Sequence, residues 1–130
     1  MTDPAVVSTD AAPAPFAGAP YSQAIIAGNL VFVSGQVGLD PATSTIVAGG
    51  IVAETQQTFA NMSAILEAAG SGLDRLVKTT VFLMEMGDFG AMNETYAAFV
   101  SATPPARSTV QVAKLPAGAI VEIECVALLR

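Results

Sequence analysis

Leu76-Val77-Lys78-Thr79-Thr80-Val81-Phe82-Leu83-Met84 is the stretch on which the fold turns. Its β-branched and large apolar residues favour an extended chain, with Val77, Thr79, Val81 and Leu83 on one parity and Lys78, Thr80, Phe82 and Met84 on the other. Helical spacing flanks it on both sides. Upstream, between Ile51 and Ala69, the large apolar residues fall at Phe59, Met62, Ile65 and Leu66, and Gly70 stands just past the end as a stop. Downstream a second helix is predicted to begin near Asp88 as N-cap, with Phe89, Met92, Tyr96 and Phe99 or Val100 as its apolar stripe and Pro104-Pro105 as its end.

Further outward, Ala24 to Ala27 and Leu30 to Ser34 surround Gly28-Asn29, a pair that tolerates positive φ, and predict a β-hairpin. Turns follow at Asp40 to Ser44 and at Gly49-Gly50. Near the other end two strands are predicted, about Ala106 to Ala113 and Ala119 to Leu129, joined by residues 115 to 118. The order β-hairpin, α, β, α, β-hairpin gives a single α+β domain over residues 20–130: a mainly antiparallel sheet with two helices on one face. Residues 1–19 are Ala- and Pro-rich with one bulky aromatic, Phe16, and are expected to form a flexible tail.

The 130 residues suffice for one buried core. Apolar residues make up 52% and charged residues 12%, about half the usual charged share of roughly 25%, so some apolar surface is expected to need a partner copy. The net charge is -6, and every basic residue lies at Arg75 or later, which argues against a nucleic-acid partner. Gly, Ser, Asn, Gln and Pro interrupt the uncharged stretches short of the roughly 20 apolar residues of a membrane span, so a soluble protein is expected. A single cysteine, Cys125, and the lack of a basic then apolar leader fit the cytoplasm. With no His, serine and cysteine triads and His-type zinc sites are closed, which leaves carboxylate, Lys or Tyr for proton transfer. No Walker loop, GxGxxG or CxxC occurs, so no cofactor and no metal is expected.

Alternation along the last strand puts Glu122 and Glu124 on one largely apolar face with Ile120, Val126 and Leu128. Such a face ordinarily meets water; the sharper alternative is a carboxylate in a cleft, with raised pKa, handling protons. Arg107 begins a strand, where its fork could grip a carboxylate or simply form a structural ion pair. Tyr21, Ser34, Gly35, Asn93 and Thr109 are individually weak candidates, being common as lids, turns, caps and strand formers. If the last two strands form a hairpin, Glu122 lies three or four residues from the partner of Arg107, roughly 10 to 13 Å at strand rise. Either the arginine side chain covers that gap, or neighbouring subunits share the site.

Taken together, several strings resemble the reactive-intermediate deaminase A (RidA) family, also known as endoribonuclease L-PSP-like proteins. They are Pro20-Tyr21-Ser22-Gln23-Ala24, Ser34-Gly35-Gln36, Asn61 through Gly70, Val77 to Phe82, Asp88-Phe89 with Asn93 and Tyr96, Pro105-Ala106-Arg107-Ser108, and Leu115-Pro116 followed by Val121 to Glu124. The resemblance runs from about residue 18 to the end. It implies a chorismate-mutase-like subunit, a homotrimer with clefts between subunits, and cofactor-free hydrolysis of enamines and imines such as 2-aminoacrylate and 2-iminopropanoate to 2-keto acids and ammonia. By the same resemblance Glu122 is the catalytic group that activates water. Arg107 binds the substrate carboxylate, and Tyr21, Ser34, Gly35, Asn93 and Thr109 line the cleft. Thr109 stands where several members have Cys, so a thiol is not essential here; Ala19 stands where glycine is usual; and Pro104 stands where an aromatic is common, a change that bears on substrate range more than on reaction type. A different class, a non-catalytic small-carboxylate-binding or regulatory protein on the same fold, would keep Arg107 and not need Glu122. A ribonuclease reading is opposed by the negative charge and the missing histidines.

Overall fold

The computed structural model describes residues 3–130; Met1 and Thr2, the first residues of the expected tail, lie outside the described residues. The strands are β1 (Ala5–Val7), β2 (Ala24–Ala27), β3 (Leu30–Val37), β4 (Leu39–Asp40), β5 (Thr45–Ile46), β6 (Leu76–Leu83), β7 (Ala106–Gln111) and β8 (Val121–Leu128). The helices are α1 (Gly50–Ala68) and α2 (Phe89–Ala97). One six-stranded sheet runs β1-β2-β3-β8-β6-β7, antiparallel throughout except for the parallel pair β6 and β7, and β4 and β5 form a small separate hairpin. This is the expected α+β arrangement.

Strand alternation sorts the sheet into two faces. Val31 and Val33 of β3, Val81 and Leu83 of β6, and Val121, Ile123 and Ala127 of β8 turn toward Phe59, Met62, Ile65 and Leu66 of α1 and Met92 and Tyr96 of α2. Phe59 stacks on Phe99 at 4.8 Å between centroids and meets Tyr96 edge-on at 5.2 Å. Burying each of these large side chains contributes about 1.5–3 kcal/mol, so this layer holds the helices to the sheet. The opposite face, with Ile25, Phe32, Lys78, Thr80, Glu124 and Val126, is covered by no helix of the described residues and bears an open hollow of about 340 Å³.

Three expectations are corrected. Residues 3–19 are not a loose tail: β1 pairs with β2, and Val7 and Ala12 are buried. The β-branched pair Val6-Val7 supplies the strand. Beyond it the buried Gln23 amide replaces the backbone partners that a Pro-rich segment lacks: its Oε1 accepts from the Thr9 N–H (2.7 Å), and its Nε2 donates to the carbonyls of Thr9, Ala12 and Pro13 (3.0, 3.3 and 2.9 Å).

The last two strands are not a hairpin. Strand β6 lies between β7 and β8, because β6, α2 and β7 form a parallel crossover and the connection from β7 to β8 is longer than a tight turn. Asp88 does sit at the N-cap of α2 but makes no side-chain capping bond, since a 3-10 turn over Met86–Asp88 runs directly into the helix. That helix ends at Ala97, ahead of Pro104-Pro105.

Candidate functional site

The predicted site residues fall into two groups on opposite faces of the sheet. The first is a cleft of about 450 Å³ lined by Tyr21, Ser34, Gly35 and Glu122 together with Phe16, Pro116 and Glu124. A bulge builds its floor: between Val33 and Gln36 strand β3 carries one residue more than β8, which places Ser34 and Gly35 outside the regular ladder. The Ser34 hydroxyl donates to the Ser22 carbonyl (2.5 Å) and the Ser34 N–H to the Gln23 carbonyl (2.9 Å), locking the bulge to the preceding segment. Gly35 leaves room for Glu122, because a Cβ there would stand 2.8 Å from both Cδ and Oε2 of that carboxylate.

Glu122 is half-buried, and burial pushes its pKa up, with the neighbouring Glu124 charge raising it further. No cation pairs with it among the described residues, where the one ion pair joins Arg130 to Asp74. Tyr21 accepts the Phe16 N–H on its hydroxyl oxygen (3.0 Å), which leaves its own O–H free to donate into the cleft.

The second group lies on the helix side of β7. Arg107 is registered opposite Thr79, and its guanidinium stands 4.8 Å from the Tyr96 ring centroid and 5.5 Å from that of Phe89. A hydrogen bond of 2.7 Å between the Thr79 and Tyr96 hydroxyls fixes the nearer ring. Contact with the two ring faces holds the guanidinium in place, and none of its N–H groups has a hydrogen-bond or ion-pair partner among the described residues. On the same α2 and β7 surface Asn93 Oδ1 and Thr109 Oγ1 are buried without a hydrogen-bond partner among the described residues. Buried polar atoms are nearly always satisfied, so this pair stands out beside Arg107 as unused hydrogen-bonding capacity.

Registration separates the groups within one copy. Arg107 aligns through Thr79 with Cys125 on the core face, whereas Glu122 is three residues away and faces the other side. Two strand spacings and three residues of rise put their Cα atoms about 14 Å apart. The arginine therefore does not cover the gap within its own subunit, since its side chain leaves the sheet in the wrong direction.

Several relevant residues escaped the sequence reading. Phe16 was absorbed into the tail, and Phe89 into the core stripe. Glu54 on α1 is buried, and its Oε1 accepts the Ile120 N–H (2.9 Å), which holds the start of β8 just after a turn where Ala117 adopts φ 57°. Burial raises its pKa, the Ile120 N–H opposes that, and Asp88 adds to the rise. The signal was its phase: Glu54 lies on one helical face with Thr58, Met62 and Ile65, where an unpaired carboxylate is out of place. Among the described residues no cluster of three His, Cys, Asp or Glu could hold a metal ion, and no helix is long and apolar enough to cross a membrane.

The subunit is thus a two-layer α+β fold with a carboxylate cleft on one face of its sheet and an arginine beside two aromatic rings on the other. The chain belongs to the RidA family, whose description Endoribonuclease L-PSP matches residues 11–129. It is 51% identical to RutC family protein UK114 of Drosophila melanogaster over 110 residues, 85% of this chain and 80% of that protein. It is 48% identical to the 2-iminobutanoate/2-iminopropanoate deaminase of Mus musculus over 123 residues, 95% of this chain and 90% of that protein. The crystal structure of RidA from an Antarctic Psychrobacter superposes with a TM-score of 0.90 at 45% identity, covering 96% of this chain and 99% of that one.

Proposed function

We propose that this protein hydrolyses reactive 2-imino acids and their enamine tautomers, such as 2-iminopropanoate and 2-aminoacrylate, to 2-keto acids and ammonia. The observation that carries the reading is Glu122: a half-buried carboxylate with raised pKa and no ion-pair partner among the described residues, lying over Gly35 at an open cleft. Similarity to the mouse deaminase supports the reaction class. Arg107 offers an oriented fork to the substrate carboxylate, and Asn93 and Thr109 add polar atoms beside it.

Because the halves face apart within one copy, the working site joins the Glu122 cleft of one copy to the Arg107 surface of the next, in a homotrimer. Phe32 and Val110, each 44% exposed, and the low share of charged residues support assembly. A small-molecule substrate, no nucleic acid and no membrane is the resulting set of partners. The buried lone Cys125 suits a reducing, cytoplasmic setting.

Chemically, the Glu122 carboxylate takes a proton from water as the water oxygen bonds to the carbon of the protonated imine and the C=N π pair moves to nitrogen, giving a carbinolamine. Glu122 then passes that proton to the nitrogen and takes the hydroxyl proton as C=O forms and the C–N bond breaks; ammonia leaves with the 2-keto acid, and Glu122 gives its proton up to the ammonia, which departs as ammonium. An enamine enters the same path after protonation at its methylene carbon. Water is the only co-reactant the balance requires.

The test is competition for freshly made imine. An amino-acid oxidase generates 2-imino acids, semicarbazide traps them, and the protein is added. Wild type is expected to suppress semicarbazone formation and Glu122→Gln to leave it unchanged. Equal suppression by both proteins contradicts the assignment of Glu122, and no suppression by wild type contradicts the deaminase reading.

A further inference from the structure

The ladder between β3 and β8 stops at the pair Val37 and Glu122. Carried further, its register would set Leu39 opposite Ile120, but Leu39 has left that ladder to pair with Ile46 in the small β4 and β5 hairpin. The Ile120 N–H and the Leu39 carbonyl thus lose each other, and side chains of α1 take up both. Glu54 Oε1 accepts the Ile120 N–H (2.9 Å), while Asn61 Nδ2 donates to the carbonyls of Leu39 (2.9 Å) and Val37 (3.0 Å). Gly38 lets the helix come this close: a Cβ there would stand 2.8 Å from the Glu54 Cα and 2.9 Å from its carbonyl oxygen.

Glu122 therefore sits at the last rung of a ladder that α1 completes. Its partner Val37 is held by Asn61, and Ile120 just before it is held through its N–H by Glu54 and through its carbonyl by the Met84 N–H (3.1 Å). The chain leading in is a 3-10 turn over Pro116–Gly118 with Ala117 at φ 57°, so the Glu54 bond stands where that turn gives way to strand. We infer that Glu54 is a positioning residue for the proposed hydrolysis: standing in for the missing strand, its carboxyl fixes the place from which β8 presents Glu122 over Gly35. Glu54 does not line the Glu122 cleft and acts only through the β8 backbone. What the position requires is an acceptor of the right reach and not a charge, since Asp88 is a like charge toward it and no cation pairs with it among the described residues. The inference rests on the deaminase reading and adds a residue to that site.

The experiment measures kcat and KM of the full chain on the alanine-derived 2-imino acid by semicarbazide competition, with each variant shown to be folded by circular dichroism at the assay temperature. Glu54→Met fills the space without an acceptor, and kcat is expected to fall about 10- to 100-fold with KM held within about twofold. Glu54→Asp keeps the charge but draws the oxygen back by a methylene, and a smaller fall of about three- to tenfold is expected. Glu54→Gln keeps reach and acceptor without the charge and is expected to recover most of that loss. Carbon NMR titration of the Glu122 carboxyl is expected to show a pKa moved down toward the ordinary carboxylate value in Glu54→Met, as the group loses its half-buried place, and little change in Glu54→Gln. Wild-type kcat in Glu54→Met and Glu54→Asp overturns the inference, as does a loss in Glu54→Gln equal to that in Glu54→Met. A fall in kcat with the Glu122 titration unmoved also overturns it, since Glu54 would then be only a brace of the fold. If wild type hydrolyses no imine, the deaminase reading itself fails and takes the inference with it; an active enzyme indifferent to position 54 leaves that reading standing.

Discussion

Strand β8 has two faces built on the same backbone, and they are governed by different rules. One presents Val121, Ile123, Cys125 and Ala127, all buried beneath the helices. The other alternates Glu122 and Glu124 with Val126 and Leu128 and has no covering element. On the first, every residue agrees with its surroundings, as expected of a face whose purpose is packing. On the second, acidic groups lie among exposed apolar ones, including Phe32 on the next strand, and burial raises the Glu122 pKa with no ion-pair partner among the described residues to offset it. Local inconsistency of this kind marks the place where a fold gives up stability for a site or a partner.

The largest expected effect separates chemistry from packing. Glu122→Gln is expected to lower kcat by about 10²- to 10⁴-fold with an unchanged circular dichroism spectrum, in line with loss of a general acid-base group. Arg107→Ala is expected to act mainly on KM, raising it about 10- to 100-fold by loss of a charge-assisted fork. A loss confined to KM for Glu122→Gln would erase the distinction between the two half-sites.

Core and open face are next compared by truncating one aromatic on each. Phe59→Ala, which removes a fully buried ring, is expected to destabilise the protein by about 3–5 kcal/mol in urea or thermal unfolding. Phe32→Ala removes a ring 44% exposed in the single copy, and is expected to shift sedimentation toward smaller species with little change in secondary structure. If Phe32→Ala leaves the sedimentation of the assembly untouched, the open face is not where copies meet.

Gly35→Ala probes the bulge. The added Cβ would meet the flexible end of Glu122 and not backbone, so the fold should survive while the carboxylate is displaced, with kcat falling about tenfold. Unaltered kcat would show that Glu122 does not depend on the close approach.

The smallest effects are in pH. In the proposed reaction Glu122 works as a carboxylate when it attacks through water, so activity is expected to fall as pH drops through a pKa held above the usual 4.5, and Glu124→Gln should move that limb to lower pH by removing a like charge. The same shift has a stability sign. The folded state binds the Glu122 proton more tightly than the unfolded state does, so the buried charge lowers stability as pH rises through and above that pKa. Glu122→Gln is therefore expected to melt above wild type at neutral pH, with the gap closing in acid. A wild type that melts higher than the variant at neutral pH would contradict the burial of that charge.

Much of the fold was legible because α1, β6 and β8 carry unmixed periodicities, such as Phe59, Met62 and Ile65 at helical spacing. Pairing was less so. Nothing local in Ala106 to Gln111 says that this strand lies parallel to β6, since that depends on the α2 crossover and on the space left beside β8. The strap was missed because its order comes from the distant Gln23 side chain and not from its own composition. Residue types at the site could be read from the sequence, but their opposite facing could not: Arg107 and Glu122 differ in side only once the intervening strand and its register are known.

The central claim is that a working site takes Glu122 from one copy and Arg107 from another. Its most direct measurement mixes two crippled proteins, Glu122→Gln and Arg107→Ala, after reversible dissociation, and assays imine hydrolysis against each alone. If the copies share the site, reassembled mixtures regain activity, up to about one quarter of wild type for random trimers at equal ratio, because some interfaces join an intact Glu122 to an intact Arg107. No recovery in mixtures shown to contain both chains in one assembly would contradict it.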